Sequence, residues 1–525
     1  MAAPRLHIGI DLDNTMVCYD EVFARRAATL GLGCVEPRAA KTLLRNTLRS
    51  CPGGEVAWTE CQGEAYGPGL VKARPFPDTR EVIAGWLHAG HTISVISHKT
   101  RFAALGPAHD FHAAARVWFE HWFGDLPLQL FLEPTRWAKL RRIESQRCDV
   151  FVDDLLDLLE EPAFPAGPKR IWYSPDNSIS ACSPAISRAA SWAGVAAIVD
   201  QLAPAPCTVS TCHRGDAFTG DPAPVFSALV AAHLSTTLVR WEKLAGGINN
   251  LSARLTLGDG REIVGKIYRR SSLDPRDRLR HETAFLGLLE EAGITCVPRV
   301  LAIDEDLGAA LHTIVPGRRW PDNEPAPAAF WAQCNDFIAA LQRAAALPAA
   351  QALPLAAESA LTLQEHLAWV QERRDLWLGR ALDGALPAPA AQLVLDDLEP
   401  TYAQLARRVI AHPDFQTRLD CSTLILSPSD FGLHNALVAD DGTLGFVDFE
   451  YAGWDDPAKT DADFSLQPRH AAGRPPTIAS LDARLDRTNA RTALLRELLA
   501  LKWRYIVLTA TVSRENTPAP CATAT

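Results

Sequence analysis

The chain has 525 residues, is 47% hydrophobic and 22% charged, and carries 52 basic against 62 acidic groups, a formal charge of −10. That length exceeds one ordinary domain, and the composition excludes a disordered or fibrous chain. An acidic chain without a long Lys/Arg run also lacks the basic footprint that a DNA or RNA partner requires.

Twelve cysteines are scattered without a C-x-x-C pair, as in a protein of reduced thiols. The first residues hold no apolar leader, and no stretch reaches the ~20 apolar residues of a membrane span. These features predict a soluble, cytoplasmic protein with no membrane partner.

In chain order, Leu6–Ile10 reads as a short buried strand that runs into Asp11-Leu12-Asp13-Asn14-Thr15. Two carboxylates at i and i+2 beyond a strand lie close together on a tight loop, which suits a divalent cation. One can attack phosphorus while the other protonates the leaving oxygen. A helix over Thr79–His88 leads to the strand Thr92–Ile96, which ends at Ser97. That hydroxyl is placed to bind a phosphoryl oxygen at the carboxyl edge of a parallel sheet. His98 and Lys99 read as a solvated loop. Lys139 lies in a helical stretch and can neutralise phosphate charge, and the strand Val150–Val152 ends at Asp153-Asp154.

With these parts in order, residues 1–200 resemble the haloacid dehalogenase superfamily of phosphatases. The resemblance implies a Rossmannoid parallel-sheet domain with Asp11 as the nucleophile that becomes aspartyl-phosphate and Asp13 as general acid/base. Ser97 and Lys139 would hold the phosphoryl group. Asp11, Asp13 and Asp153 or Asp154 would form the Mg²⁺ site. A carboxylate two residues after the nucleophile favours phosphate-ester hydrolysis over dehalogenation. Residues 20–74 leave room for a small cap only.

Residues 201–225 are rich in Pro, Gly, Ser and Thr and read as a linker. Beyond it, Gly246 and Gly247 precede an alternating strand, Leu251–Leu257, and a second strand, Glu262–Tyr268, that carries Lys266. A hairpin with a small-residue loop suits the close approach of nucleotide phosphates. Gly260 to Lys266 imitates a P-loop, but Ile267 occupies the Ser/Thr position and the lysine lies within a strand, so that reading fails. The helix Arg278–Ala292 includes Glu282, placed to pair with Lys266, and Leu311–Gly317 reads as a strand leaving for a second lobe. Downstream come Asp430, Asn435 five residues later, and Asp448 after the strand Gly445–Val447. This is the minimum set for Mg²⁺-dependent transfer of a γ-phosphoryl group.

Residues 226–510 are thus similar to the aminoglycoside phosphotransferase/choline kinase family, a bilobal protein-kinase-like α+β domain. The resemblance assigns Gly246, Gly247, Lys266 and Glu282 to nucleotide binding, Asp430 to the catalytic base, and Asn435 and Asp448 to Mg²⁺. The stretch Gly453-Trp-Asp-Asp-Pro457 matches a segment that follows the metal Asp in that family. Pro428 stands where the family commonly has His. His434 is expected to pack rather than bind metal, and Trp320 and Trp454 are candidates for acceptor contacts. The last apolar helix, over 491–511, gives way to a flexible tail, 511–525.

The expectation is an α/β bifunctional enzyme: ATP-dependent phosphorylation of a small-molecule hydroxyl through Asp430, and Mg²⁺-dependent phosphate-monoester hydrolysis through Asp11. The alternatives are an active phosphatase with a non-catalytic nucleotide- or substrate-binding second domain, and a polynucleotide kinase–phosphatase. Residues 321–400 hold 4 basic and 11 acidic groups. They predict solvated helix faces or a field suited to an amine-bearing acceptor.

Overall fold

The computed structural model describes residues 5–175, 182–202, 221–244, 250–268, 277–321, 324–467 and 477–515. Gly246 and Gly247, most of the expected linker and the last ten residues lie outside the described residues. The chain forms two compact units. The first comprises Met1–His213, Arg374–Ala385 and Tyr402–Ala411; the second comprises Arg214–Arg373, Leu386–Thr401 and His412–Thr525.

The first unit holds the strands β1 (His7–Ile10), β2 (Val17–Cys18), β3 (Arg74–Pro75), β4 (Thr92–His98), β5 (Gln129–Glu133), β6 (Val150–Asp153), β7 (Lys169–Tyr173) and β8 (Ile186–Ala189). Six of them make one sheet in the order β5-β4-β1-β6-β7-β8, parallel throughout. This is the parallel α/β sheet expected of a Rossmannoid domain. Its strands are near-continuous apolar runs, because helices cover both faces of a parallel sheet. Ile8, Ile10, Val95, Val150 and Val152 are fully buried. Since β1 lies between β4 and β6, the carboxyl ends carrying Asp11, Ser97 and Asp153 become neighbours. Such an edge is where α/β sheets bind ligands. Residues 20–74 contribute three helices, Asp20–Thr29, Pro37–Arg49 and Gly54–Tyr66, inserted between β2 and β3.

The second unit opens with an antiparallel sheet of β9 (Leu238–Lys243), β10 (Asn250–Leu257), β11 (Glu262–Tyr268), β12 (Val300–Asp304) and β13 (Ala309–His312), ordered β12-β13-β11-β10-β9. The expected strand over 311–317 is shorter: it ends at His312, where pairing with Val264 stops. Gly265, which imitated a phosphate loop, has another role. A Cβ there would come within 2.5 Å of the Phe226 ring and 2.8 Å of Leu255, so its smallness admits the helix Ala223–Leu234. The remainder is mostly helical, with two short two-stranded antiparallel sheets: β14 (Ile425–Ser427) pairs with β17 (Gly453–Asp455), and β15 (Ala436–Val438) with β16 (Leu444–Phe446). No helix among the described residues is long and apolar enough to cross a membrane.

Candidate functional site

In the first unit, β1 and β6 deliver Asp11 and Asp153 to a common lysine. Lys139, from the helix Arg136–Ser145, places Nζ 2.6 Å from Asp11 Oδ1 and 2.6 Å from Asp153 Oδ2. All three side chains are buried. The backbone N–H of Asp11 donates to Val152 O at 2.9 Å, and Asp153 Oδ1 accepts from the Leu155 N–H at 2.9 Å. Burial opposes the charge on Lys139, but Asp11 and Asp153 hold its pKa above the ordinary lysine value.

The cluster is short of positive charge. Oxygens of Asp11, Asp153 and Asp154 all lie within 4.8 Å of one another. Burial pushes the Asp11 carboxyl up to about 7 despite Lys139, and burial together with Asp153 pushes Asp154 well above its usual value. Three close carboxylates around Lys139, with Lys41 also acting on Asp154, form an all-oxygen donor set fitted to a hard divalent cation. Asp13 stands apart from that group. Its Oδ2 is 2.5 Å from Lys99 Nζ, and its Oδ1 accepts from the Tyr19 hydroxyl at 2.6 Å.

Ser97 is buried at the sheet edge, and its Oγ has no hydrogen-bond partner among the described residues. An orphaned buried hydroxyl is costly unless something fills the space beside it. Lys99 corrects an expectation: it is only 4% exposed and paired with Asp13, whereas neighbouring His98 faces solvent. Its burial follows from β4, which runs two residues past Ile96 and carries the chain over the sheet edge. Lys41, from the inserted helix Pro37–Arg49, reaches Asn14 Oδ1 at 3.3 Å. Neither Lys41 nor Tyr19 had a spacing signal, since both lie in an insertion whose path the sequence leaves open.

In the second unit, Lys266 on β11 is 6% exposed and lies 2.7 Å from Glu282 Oε2 and 2.6 Å from Asp448 Oδ1. Glu282 comes from the helix Arg278–Glu291. Its Oε2 also accepts from the Tyr268 hydroxyl at 2.8 Å, and its Oε1 from the Phe449 N–H at 3.3 Å. The expected lysine–glutamate pair therefore forms, and it is tied to the backbone beside Asp448. Burial disfavours the Lys266 charge, while Glu282 and Asp448 outweigh it and raise its pKa. Asp448 has φ +72°, a conformation that L residues rarely adopt.

Asp430 follows Ser429, whose φ is +64°. Asn435 Nδ2 donates to the Asp430 carbonyl at 2.9 Å and lies 3.4 Å from Asp430 Oδ2. That fixes the amide and leaves Asn435 Oδ1 as its remaining acceptor. The Val447 N–H donates to Asn435 O at 2.9 Å, which holds the approach to Asp448 against the same loop. The His434 ring makes a polar contact: Nε2 is 3.0 Å from Asp430 Oδ1. Gln467 Nε2 donates to the same oxygen at 3.2 Å, a contact no motif signalled.

Residues 240–487 match the model of the phosphotransferase enzyme family, APH. This segment is a phosphotransferase-family domain. It contains Lys266, Glu282, Asp430, Asn435 and Asp448. Solved structures that resemble the chain include spectinomycin phosphotransferase APH(9)-Ia in complex with ADP and spectinomycin. That protein is 12% identical over 56% of this chain and 90% of its own, with a TM-score of 0.42. Choline kinase LicA from Streptococcus pneumoniae is 13% identical over 57% and 92%, with a TM-score of 0.36. Macrolide 2′-phosphotransferase type I is 17% identical over 58% and 100%, also with a TM-score of 0.36. No curated protein matches the chain.

The two tryptophans of the phosphotransferase domain singled out in the sequence have local partners. Trp454 Nε1 donates to Ala350 O at 2.9 Å, and Trp320 Nε1 to Glu324 O at 3.1 Å. The acidic excess of 321–400 is divided. Asp396 and Asp397 are exposed, with Asp397 paired to Arg504, while Asp375 and Asp383 belong to the first unit and engage Arg101.

Proposed function

We propose that this chain is a bifunctional phosphoryl-transfer enzyme. The phosphotransferase domain moves the γ-phosphoryl group of ATP to a hydroxyl of a small molecule. The first unit hydrolyses a phosphate monoester in the manner of the haloacid dehalogenase superfamily. The observation that carries the first half is the family match together with the Lys266–Glu282 pair beside Asp448 and the Asp430–Asn435 loop. The second half rests on the Lys139-bridged Asp11 and Asp153 at adjacent strand ends.

In the phosphotransferase reaction, Lys266 anchors the nucleotide phosphates while Glu282 fixes its ammonium. Asp430 orients the acceptor hydroxyl and takes its proton as the acceptor oxygen bonds to phosphorus and the bond to ADP breaks. In the hydrolytic reaction, Asp11 attacks phosphorus as the bond to the leaving alcohol breaks, Ser97 and Lys139 hold the phosphoryl oxygens, and Asp13 protonates that alcohol and then takes a proton from the water that displaces Asp11 and releases phosphate. Mg²⁺ fits both sites by donor chemistry: Asp11, Asp153 and Asp154 would hold it in one, Asn435 Oδ1 and Asp448 in the other. When bound it neutralises phosphate charge.

The test is a pair of substitutions in the full-length chain. Asp11→Asn is expected to abolish Mg²⁺-dependent hydrolysis of p-nitrophenyl phosphate and leave ATP consumption intact; Asp430→Ala is expected to do the reverse. Loss of neither activity refutes the assignments.

A further inference from the structure

Asp430 lies in a loop with two irregularities. Pro428 removes a donor, and Ser429 takes the left-handed conformation at φ +64°. Such a turn persists only where its surroundings over-determine it. Here the surroundings are the helix Pro457–Leu466 and the residue after it. Near the start of that helix, Thr460 Oγ1 donates to Ser427 Oγ at 3.0 Å, and the same Ser427 oxygen accepts the Ser429 N–H at 3.0 Å. Just beyond its end, Gln467 Nε2 donates to Asp430 Oδ1 at 3.2 Å, where the His434 ring also meets it at 3.0 Å.

The helix is itself anchored by buried ion pairs. Lys459 lies 2.6 Å from Asp455 and 3.4 Å from Asp463, and Asp463 is 2.9 Å from Lys502. Gln467 is 6% exposed, so its amide is held in place rather than free to sample solvent. An ionised carboxylate only accepts, so His434 Nε2 carries the proton in this contact. Two donors on Oδ1 leave Oδ2, which lies 3.4 Å from Asn435 Nδ2, to meet the acceptor hydroxyl.

We propose that His434 and Gln467 are positioning residues that clamp one oxygen of Asp430, so that the other is presented to the acceptor. Neither touches the reacting atoms. They act through Asp430, in a loop where Pro428 cannot supply a side-chain hydrogen bond. The inference rests on the reading of Asp430 as the base of phosphoryl transfer.

The experiment uses the full-length chain with MgATP and no added acceptor, reading ADP release to water. Thermal unfolding of each variant is recorded alongside. His434→Ala and Gln467→Ala are each expected to lower kcat by about 10- to 100-fold, the scale on which a misplaced group costs rate. KM for ATP should stay within about twofold. His434→Gln, which returns an Nε2 donor, should recover most of the loss, and Gln467→Asn, whose amide falls short, should not. In an Asp430→Asn background, adding Gln467→Ala should cost nothing further.

Unchanged kcat in both alanine variants, beside a strong loss in Asp430→Asn, overturns the clamp. So does an equal additional loss in the Asp430→Asn background, because the residues would then act independently of Asp430. If an alanine variant fails to fold, the contrast between His434→Gln and Gln467→Asn decides. Asp430→Asn without effect instead sinks the reading of Asp430 itself.

Discussion

Lys266 Nζ stands 2.6 Å from Asp448 Oδ1, so the lysine holds the carboxylate proposed to bind metal. Asp448 is also in a left-handed conformation, at φ +72°. On the proposed reading, a nucleotide that brings its own phosphates and Mg²⁺ would compete for both partners, and the pair would have to open as they enter. Lys266→Met tests this. It keeps most of the side-chain volume but leaves buried Glu282 without its cation. Removing one partner of a buried pair costs about 3–5 kcal/mol. The expected outcome is a loss of that order in chemical denaturation, together with a fall of roughly 100-fold or more in ATP turnover. A variant as stable and active as the parent refutes the role of Lys266.

The acidic cluster of the first unit gives a metal prediction. Asp11, Asp153 and Asp154 lie close together around Lys139, so on the proposed reading a divalent cation should bind the folded unit and not the unfolded chain. Mg²⁺ at 100 times its dissociation constant is expected to stabilise by about 2.7 kcal/mol, and EDTA to remove the effect. Asp154→Asn should abolish most of the Mg²⁺-dependent rise in Tm while leaving metal-free stability near or above that of the parent, because one crowded carboxylate is gone. An undiminished Mg²⁺ shift in Asp154→Asn rules that carboxylate out as a ligand.

Much of both sites was legible because the chemistry sits at strand ends. Apolar runs such as Leu6–Ile10 and Val150–Val152 locate buried parallel strands, and the acids after them then share one edge of the sheet. The helix Thr79–His88 and the strand Glu262–Tyr268 have the same limits in sequence and structure. The hidden residues are those brought in by tertiary path alone. Lys99 looks like a polar loop residue until β4 extends beneath it, and Gln467 reaches Asp430 from 37 positions away. Gly265, part of the phosphate-loop pattern that the sequence already rejects, is there to let Phe226 pack.

The first unit includes Arg374–Ala385 and Tyr402–Ala411, far along the chain from its sheet. Asp375 Oδ2 accepts the backbone N–H groups of Arg101 and Phe102 at 3.1 and 3.2 Å, just after the strand carrying Ser97. Arg374 Nη1 donates to Ala103 O at 3.2 Å. A fragment ending at residue 213 loses these partners and exposes buried Phe102. It is expected to unfold at a lower temperature than the first transition of the full chain, and to show faster amide exchange over residues 100–111. Matching Tm and exchange would show that the distant segments are dispensable. In the full chain, Asp375→Ala removes the acceptor for one buried and one part-buried N–H group and should cost about 2 kcal/mol.

Asp456 gives the clearest pH dependence. It is buried, caps the helix Pro457–Leu466 by accepting the Ala458 N–H at 2.8 Å, and pairs with Arg491 at 2.8 Å beside His366. Burial alone would raise its pKa, but His366 and Arg491 outweigh that and bring it down to about 2. The folded value lies below the unfolded one, so the unfolded chain binds the proton first as the solution is acidified. The stabilisation is therefore complete above pH 5 and is lost as pH falls toward 2. A gap of nearly two units corresponds to about 2.5 kcal/mol at neutral pH, dropping to roughly half by pH 3. Urea unfolding of the parent and Asp456→Asn at pH 7, 5 and 3 measures it. The difference between them should hold from pH 7 to 5 and shrink at pH 3. A difference that stays constant down to pH 3 would mean that the charge on Asp456 contributes nothing.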